Sequence, residues 1–507
     1  MTDRLDARAL RQPALVLIAA GAFVLVFLQL EARGLLIFLP ALAFFAVLGL
    51  ALARYPLAGF AFLIMSVPFQ RLGSEGTLLP VTLTQLVFPV ALAGFVIHHF
   101  AQRRPLRGHA TLVPFALLIL VMLASAVQAE SFNASLAEIA RWAVALVAFW
   151  LSLQIVVGGS ERRLIGVAAL LAAGGVFEST VGVVQSVIGF GPFQIESGVS
   201  RAFGTFGRPN SFAGYLEMTL FPAAAMAYWY AGETLRRYRR YAVERLRGMS
   251  ASLEARRHLL RGALMLIYFA GSTAIILSGI VASLSRGAWL GVGIGAIVVA
   301  LLLGPLSRLL VSIGTLAVVG LLIGGFGGLV PEDFRERISE SASQLQPFDV
   351  RNVTITDENF AAAERVAHWQ SGWDMFQDHP ALGVGVGNFN ARFEEYAVRE
   401  QFRDSQGHAH NYYIHTLAET GYAGLLVYLT LLGAVIALAL RVLLARHLED
   451  SFTRMLVLGA FGSIVAVSVH NFFENLHVLN LGIIIGLHWA LVIAGHERWR
   501  IKEARTA

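Results

Sequence analysis

Three histidines lie close together in the segment HAHNYYIH, at His408, His410 and His415. The chain has no cysteine, and the spacing of these histidines differs from the HxxxH pair that binds zinc from one face of a helix, so we predict no metal site here. A neutral imidazole has an ordinary pKa of about 6.5, which suits a general base at neutral pH. One histidine of this segment is therefore a candidate base, and the alternative is a hydrogen-bonded surface histidine.

Arginines at the ends of apolar runs are candidates for binding an anion. Arg208 lies in GTFGRPNSFAGYLEM, directly before an apolar run. Pro209 suits the first turn of a helix there, and Asn210 or Ser211 suits its cap. Free amide groups at a helix start with an arginine beside them form a good anion site. Arg286, in SLSRGAWLG, lies between two apolar runs with almost no link. The alternative for both arginines is contact with lipid headgroups.

Acidic residues inside apolar runs form a third class. Glu178 and Glu217 fall within predicted membrane spans, where a carboxylate is costly unless it is paired or functional. One interpretation pairs them with an outer arginine such as Arg208, and the other makes them a proton path through a transporter. Glu419 follows His410 by nine residues, which is about 13 Å along a helix. We therefore predict a structural role for Glu419.

The elements that must hold these residues are membrane helices. The chain has 507 residues, of which 56% are hydrophobic and 14% charged, and its mean hydropathy is +0.65. Such a chain has more apolar surface than one soluble core can bury. Many of its apolar runs approach or exceed about 18 residues, the length needed to cross a bilayer, and they lack the two-residue alternation of barrel strands. We predict an all-α integral membrane protein.

The distribution of arginine predicts the topology. The link 232–261 is rich in arginine, which places it in the cytoplasm by the positive-inside rule. Threading the spans outwards from this link puts both termini in the cytoplasm and the polar segment 331–411 outside. The net charge of +6 follows from this topology, so we predict no nucleic-acid partner.

The fold expected from this topology is a polytopic helical bundle of about 12–14 spans with one large periplasmic insertion between late helices. The expected organisation is membrane helices over 1–330, including the basic loop 232–261, then the insertion 331–411, and finally helices and a cytoplasmic tail over 412–507. The candidate spans are roughly 13–30, 35–53, 57–69, 81–100, 111–128, 139–157, 164–188, 211–231, 262–284, 287–303, 308–330, 412–440, 454–470 and 477–495.

The insertion 331–411 is too long and too charged to be a simple turn, and segments of this kind often carry function. Within it, residues 364–377 place Trp369, Trp373 and other apolar side chains at helical spacing, which predicts an amphipathic helix with an aromatic face. The following GVGVGNF resembles a phosphate loop only superficially, because no strand precedes it and no GK[ST] ends it. We do not expect nucleotide binding.

Four segments together resemble the O-antigen ligase and polymerase family of bacterial envelope enzymes. They are GTFGRPNSFAGYL, SLSRGAWLG, ERVAHWQSGWDMFQDHPALGVGVGNF and HAHNYYIHTLAETGYAG. The resemblance implies a metal-independent glycosyltransferase without a cofactor. Such an enzyme moves a glycan from an undecaprenyl diphosphate carrier to an acceptor hydroxyl at the outer side of the bacterial cytoplasmic (inner) membrane. It also implies that His410 is catalytic and that Arg208 and Arg286 bind the donor diphosphate.

The function expected from this resemblance is an inverting glycosyltransferase, and we slightly prefer a polymerase of O-antigen or exopolysaccharide over a ligase. This preference rests on the large acidic insertion, which could bind a growing chain. Transfer to the lipid A core or to a protein hydroxyl are alternative ligase functions. A transporter or flippase of the lipid-linked sugar and a non-catalytic assembly subunit are further alternatives. The expected partners are the lipid-linked donor, a glycan or lipid A core acceptor, membrane lipid and a chain-length regulator. Further candidate substrate-binding residues are Arg201, Arg365, Trp369, His408 and Asn411.

Overall fold

The structure of the chain is a computed structural model. It describes residues 47–50, 52–69, 82–103, 105–193, 200–246, 253–304, 307, 309, 349–356, 359–405, 407–445 and 451–506. The predicted span 13–30 lies outside the described residues, as do residues 35–46 of the span 35–53, all of the span 308–330 except residue 309, and the first part of the insertion. The predicted total of about 12–14 spans therefore stays a prediction.

Helices form most of the described chain, and no strand occurs within the described ranges. The N-terminal helices are α1 (Pro56–Ser66), α2 (Leu83–Gln102), α3 (Leu112–Ser125), α4 (Phe132–Val156), α5 (Glu161–Val187), α6 (Pro209–Leu246), α7 (Leu253–Ala282) and α8 (Arg286–Leu303). The C-terminal helices are α9 (Phe360–Asp378), α10 (Phe389–Arg392), α11 (Tyr412–Leu443), α12 (Phe452–His470) and α13 (Leu481–Thr506).

Seven of the described helices are long and apolar enough to cross a membrane, namely α2, α4, α5, α7, α8, α11 and α12. A helix pairs its backbone hydrogen-bonding groups within its own segment, as a span through hydrocarbon requires, and these helices are long enough to cross it. The chain is an all-α polytopic membrane protein, as the composition predicts.

The arginine-rich link is more helical than the sequence predicts. Helix α6 runs on to Leu246 and α7 begins at Leu253, so most of the predicted loop 232–261 continues the two membrane helices. Glu233 pairs with Arg236 and Arg237, three and four residues later, which stabilises the helix end. A charged sequence therefore marks where these helices leave the apolar region, but it does not mark where they end.

A stripe of small residues lets α8 approach its neighbours closely. Gly287, Gly291 and Gly295 follow each other at four-residue spacing along one face of α8. A Cβ atom added at Gly291 would lie 2.6 Å from the Ala466 carbonyl oxygen of α12. Backbones in membrane bundles pack this closely where small residues repeat every fourth position. The stripe thus brings the start of α8 against the end of α12.

The GVGVGNF turn binds a carboxylate of its own chain. Gly383, Gly385 and Gly387 all have positive φ, and the backbones of α11 and of the segment around the start of α4 approach them so closely that a Cβ atom would collide. The carboxylate of Glu419 accepts the backbone N–H of Gly387 at 2.9 Å and that of Phe389 at 3.0 Å. Glu419 therefore fixes this turn on the kinked start of α11.

The described part of the insertion folds onto α11, with α9 packed against it. One apolar cluster consists of Met375, Val384, Phe389, Phe393, Ala409 and Ala418, and a second consists of Val350, Ala363, Val366, Ala367 and Phe402. The chain divides into two compact units, and every residue of the candidate site described next lies in the larger one, Leu63–Gln85 with Pro105–Ala507.

Candidate active site

The candidate site lies where several helix ends meet at one end of the bundle. The contributing positions are the start of α6 at Asn210, the start of α8 at Ser285 and Arg286, the end of α12 at His470, the start of α11 at Asn411, and one face of α9. Helix ends carry backbone groups without partners in their own helix and leave polar side chains outside the apolar region. Their convergence therefore builds a polar site on a membrane bundle.

A cavity of about 180 Å³ occupies this meeting point. Its lining residues are Arg201, Asn210, Leu284, Ser285, Arg286, Gly287, Ala361, Arg365, His470 and Phe473. Three of them are arginines, which come from the segment before α6, from α8 and from α9. Arginine presents several donors in a fixed fork that matches phosphate geometry, so this cavity suits a phosphorylated ligand.

Arg201 is held by hydrogen bonds on two sides. Its Nε donates to the carbonyl of Ser283 at 3.0 Å, and its NH2 group donates to Oδ1 of Asn210 at 3.2 Å. Asn210 in turn donates through Nδ2 to the carboxylate of Glu474. The cationic cavity is thus joined to an anionic group beside it.

Glu474 lies in the turn after α12 and contacts two histidines of the HAHNYYIH segment. Its Oε1 lies 3.0 Å from Nε2 of His408 and 3.8 Å from Nδ1 of His410. It also accepts the backbone N–H of Asn475 at 3.1 Å. Burial opposes ionisation of Glu474, but His408, His410 and the Asn210 amide outweigh it, so the pKa of Glu474 lies well below its usual range.

The neutral form of His408 has one defined tautomer in this arrangement. Its Nδ1 accepts the backbone N–H of His410 at 3.1 Å, so the ring proton lies on Nε2 and is donated to Glu474. His408 therefore serves as a bridge between the backbone of His410 and the Glu474 carboxylate.

The backbone of His410 adopts an unusual conformation. Its φ is 50°, in the left-handed region that side chains with a Cβ seldom adopt. The indole N–H of Trp369 on α9 donates to the His410 carbonyl at 3.2 Å. Such conformations persist only where surrounding contacts hold them, and they are concentrated at functional sites. Trp369 and His408 both form hydrogen bonds with the backbone of His410 and so help to hold this conformation.

The surroundings of the His410 ring favour its neutral form. Its pKa is lowered to about 3, first by burial and then by the charges of His408 and Arg365, while Glu474 acts in the opposite direction. Nδ1 of His410 is buried and makes no hydrogen bond. Burial and the charge of Arg286 likewise lower the pKa of Arg365, so an anion entering the cavity would relieve unfavourable electrostatics.

The ligand atoms of His408, His410 and Glu474 lie within 4.8 Å of one another, which is close enough for a metal ion. The donors do not fit this role well. His408 already uses Nδ1 for a backbone N–H and Nε2 for Glu474, so both of its ring nitrogens are occupied by protein groups. The prediction that the chain needs no metal stays a prediction, and the experiment under Proposed function tests it.

Comparison with known families bears on the segment from the middle of α7 to the middle of α11. Residues 271–429 match the family model described as O-antigen ligase. The chain carries an O-antigen ligase domain. This match confirms the family predicted from the four motifs and supports a glycosyltransferase activity of the ligase or polymerase type. No curated protein matches the chain.

The O-antigen ligase domain contains only part of the candidate site. Ser285, Arg286, Arg365, His408 and His410 lie inside the matched range, whereas Arg201, Asn210, Glu217, His470 and Glu474 lie outside it. Helix α6 and the end of α12 therefore complete the polar surroundings of the O-antigen ligase domain.

The predicted site residues divide into three groups. Arg286, Arg201 and Arg365 line the cavity. His410 and His408 lie beside the cavity, where their rings contact the carboxylate of Glu474. Arg208 is exposed at the start of α6 and is not among the residues that line the cavity. Asn411 caps α11 by accepting the N–H groups of the second and third helical residues, and Trp369 binds the backbone of His410.

Sequence reasoning did not assign Ser285 to the site, and it interpreted the polar group of His470, Asn471 and Glu474 at an outer helix end as packing against the insertion. The two glutamates inside predicted spans have partners other than the arginine expected from the sequence. Glu217 contacts His470, and Glu178 accepts two hydrogen bonds from Thr205. The available signal was the polar run HNFFEN at the end of an apolar span, where such residues are costly unless they have a role.

Proposed function

We propose that the chain transfers a glycan from a polyprenyl diphosphate carrier to an acceptor hydroxyl at this end of the bundle, and that it acts as a polysaccharide polymerase. The observation that carries the proposal is the cavity lined by three arginines beside the His410–Glu474 pair. The end of the bundle that holds the site faces the periplasm of a bacterial inner membrane, in accordance with the positive-inside topology.

The arginines serve the donor half of the reaction. Arg286, Arg201 and Arg365 bind the diphosphate, and Arg208 at the helix start contacts its outer part or the first sugar. As the bond between the anomeric carbon and the diphosphate oxygen breaks, the electron pair stays on that oxygen. Positive groups already in place stabilise this growing charge, and one such donor is typically worth about 10²–10³ in rate.

His410 serves the acceptor half. The neutral ring takes the proton of the acceptor hydroxyl, and the oxygen attacks the anomeric carbon from the face opposite to the leaving diphosphate, which inverts the configuration. Glu474, near Nδ1, stabilises the imidazolium that forms, as the carboxylate of a catalytic triad does. Bound diphosphate raises the basicity of His410, because it offsets the positive charges that lower the ring pKa.

The test uses purified protein with a lipid-linked oligosaccharide and a chelator. We expect product without added metal, and a ladder of repeats made from the donor alone. His410→Ala should reduce the rate by about 10²–10⁴, while His379→Ala, at the end of α9, should leave it unchanged. An active His410→Ala enzyme, or a requirement for a divalent cation, would overturn this mechanism. A single addition to lipid A core or protein would identify a ligase.

A substitution of Glu178 distinguishes the transporter alternative from glycan transfer. Glu178 and Glu217 both have partners inside the bundle, which is consistent with carboxyls that do not carry protons across the membrane. Glu178→Gln in vesicles should leave any pH-driven flux of lipid-linked sugar unchanged. Loss of such a flux, with no glycoside product in any assay, would favour transport.

A further inference from the structure

Three buried side chains from three helices lie in a row beneath the cavity. Oγ of Ser285 lies 3.5 Å from Nε2 of His470, and Nδ1 of His470 lies 3.2 Å from Oε1 of Glu217. The three residues are 2%, 1% and 0% exposed, respectively. A carboxylate that contacts one ring nitrogen orients the imidazole and directs its other nitrogen at a hydroxyl, which is the logic of a catalytic triad.

The local backbone favours this arrangement at some cost. Leu284, directly before Ser285, has φ of 51°, which a residue with a Cβ seldom adopts. Gly287 supplies the room for the imidazole, because a Cβ atom there would lie 2.6 Å from Cδ2 of His470. The turn before α8 thus places Ser285 on the cavity wall, and the glycine lets His470 reach it.

Helix packing alone does not explain why these groups are here. Ser285 is the N-cap residue of α8, but its side chain makes no capping hydrogen bond, although serine usually caps through its hydroxyl. A carboxyl and an imidazole buried among membrane helices are costly and mark function by default. Ser285 and His470 both line the cavity of Arg201, Arg286 and Arg365.

We propose that Ser285 is a hydrogen-bond donor to the diphosphate and that His470 and Glu217 are the residues that position its hydroxyl. The inference rests on the proposed function, since it assigns a further ligand to the same donor site. The ligand chemistry is an anionic diphosphate ester.

In the proposed complex, hydrogen bonds connect the diphosphate to Ser285 and Ser285 to His470. The Ser285 hydroxyl gives its one proton to a hydrogen bond with a phosphate oxygen, and Nε2–H of His470 donates to Oγ. On its other side, Nδ1 of His470 contacts the Glu217 carboxylate at 3.2 Å. No covalent bond forms or breaks in this state.

Binding of inorganic diphosphate to the purified full-length protein, measured by calorimetry without donor or acceptor, tests the proposal. Removing a hydrogen bond to a charged group typically weakens binding by about 10-fold or more, so we expect that loss for Ser285→Ala. Ser285→Thr keeps the hydroxyl and should bind within about 3-fold of the native chain. The control is Ser272→Ala, because Ser272 is equally buried on α7 but donates only to Tyr268 of its own helix.

A positioning role for His470 is tested separately. His470→Ala should weaken diphosphate binding as much as Ser285→Ala, and His470→Gln, whose amide reaches towards the position of Nε2, should restore part of it. In the transfer assay these variants should raise the KM for the lipid-linked donor and leave kcat within about 3-fold. A thermal unfolding midpoint equal to that of the native chain shows that the variants fold.

The outcomes separate the inference from the proposed function. Ser285→Ala protein that binds diphosphate as tightly as the native chain overturns the inference, even if glycan transfer is observed. Diphosphate binding that depends on Ser285 in a protein that makes no glycoside supports the inference and overturns the proposed function. Native protein that binds no diphosphate overturns the inference as well.

Discussion

Glu474 and Glu217 both contact histidines at the same end of the bundle, yet their surroundings differ. Glu474 lies in a turn and has His408, Asn210 and a backbone N–H as hydrogen-bond partners, with His410 nearby. Glu217 lies within α6, is fully buried, and has one side-chain partner, His470. A carboxylate with several donors is stabilised as an anion, whereas one with a single imidazole shares its charge with that ring.

This difference suggests a division of labour between the two pairs. In the proposed reaction, the Glu474 pair serves the acceptor half, where His410 takes up a proton. The Glu217 pair serves the donor half in the same proposal, where His470 positions the hydroxyl of Ser285 towards the leaving group. Variants that act on kcat through one pair and on donor affinity through the other would establish this division, and variants that act alike would break it.

The largest effect is expected for Glu474→Gln. The amide keeps the size of the side chain but cannot stabilise the imidazolium of His410, so we expect kcat to fall by about 100-fold or more, with donor KM within about 3-fold. Steady-state kinetics with varied lipid-linked donor measures both constants. Glu217→Gln is the matched variant, and it should raise donor KM rather than lower kcat. Equal effects of the two substitutions on kcat would contradict the division.

A smaller effect is expected for Gly287→Ala. The new Cβ would lie 2.6 Å from Cδ2 of His470 and 3.0 Å from Nε2, so the ring must move away from Ser285. We expect donor KM to rise by about 10-fold. Gly293→Ala is the control on the same helix, because nothing lies within 4 Å of its added Cβ. It should leave KM unchanged and stabilise the helix by up to about 1 kcal/mol. If both variants change KM alike, the effect belongs to α8 and not to His470.

The sequence predicts the two halves of the site unevenly. Arg286 and His410 lie in short motifs whose residue types already indicate anion binding and proton transfer. Membrane class and helical fold follow from apolar runs, since the bilayer admits few spanning structures. Glu217 was visible as a buried acid, but its partner His470 follows it by 253 residues. A contact over that distance depends on how α6, α8 and α12 pack, which periodicity does not encode.

The sequence also does not predict what the glycines of the chain contact. The four-residue repeat of glycine in α8 is visible in the sequence, yet only the packed structure shows that Gly287 makes room for an imidazole. The GVGVGNF turn illustrates the converse case. Its sequence resembles a phosphate loop only superficially and does not indicate what its N–H groups bind, and the structure shows that they bind Glu419. Spacing therefore predicts which residues are able to do chemistry, and tertiary contacts decide which of them meet.

Trp369→Phe should have a modest effect on the acceptor side. The substitution keeps the aromatic surface but removes the N–H that donates to the His410 carbonyl. One such hydrogen bond is worth about 1 kcal/mol, so we expect kcat to fall by about 3- to 5-fold with donor KM unchanged. Trp373→Phe on the same helix is the control, because Trp373 is 46% exposed. A rise in donor KM instead would support direct substrate binding by Trp369, as expected from the sequence.

The smallest effect is expected from pH. Because burial and the charges of His408 and Arg365 lower the pKa of His410 to about 3, the base of the free enzyme stays unprotonated well below neutrality. kcat/KM reports the free enzyme, so it should change by less than about 3-fold between pH 7.5 and 5. A histidine with its ordinary pKa would lose about 30-fold over that range. Protein held at pH 5 and assayed at pH 7.5 controls for denaturation.

The constant kcat reports the donor complex, in which bound diphosphate raises the pKa of His410, and kcat should therefore fall at a higher pH than kcat/KM. A shared midpoint of about 6.5 for both constants would show that the acceptor pair does not hold His410 in the buried, cation-flanked state that distinguishes it from the donor pair.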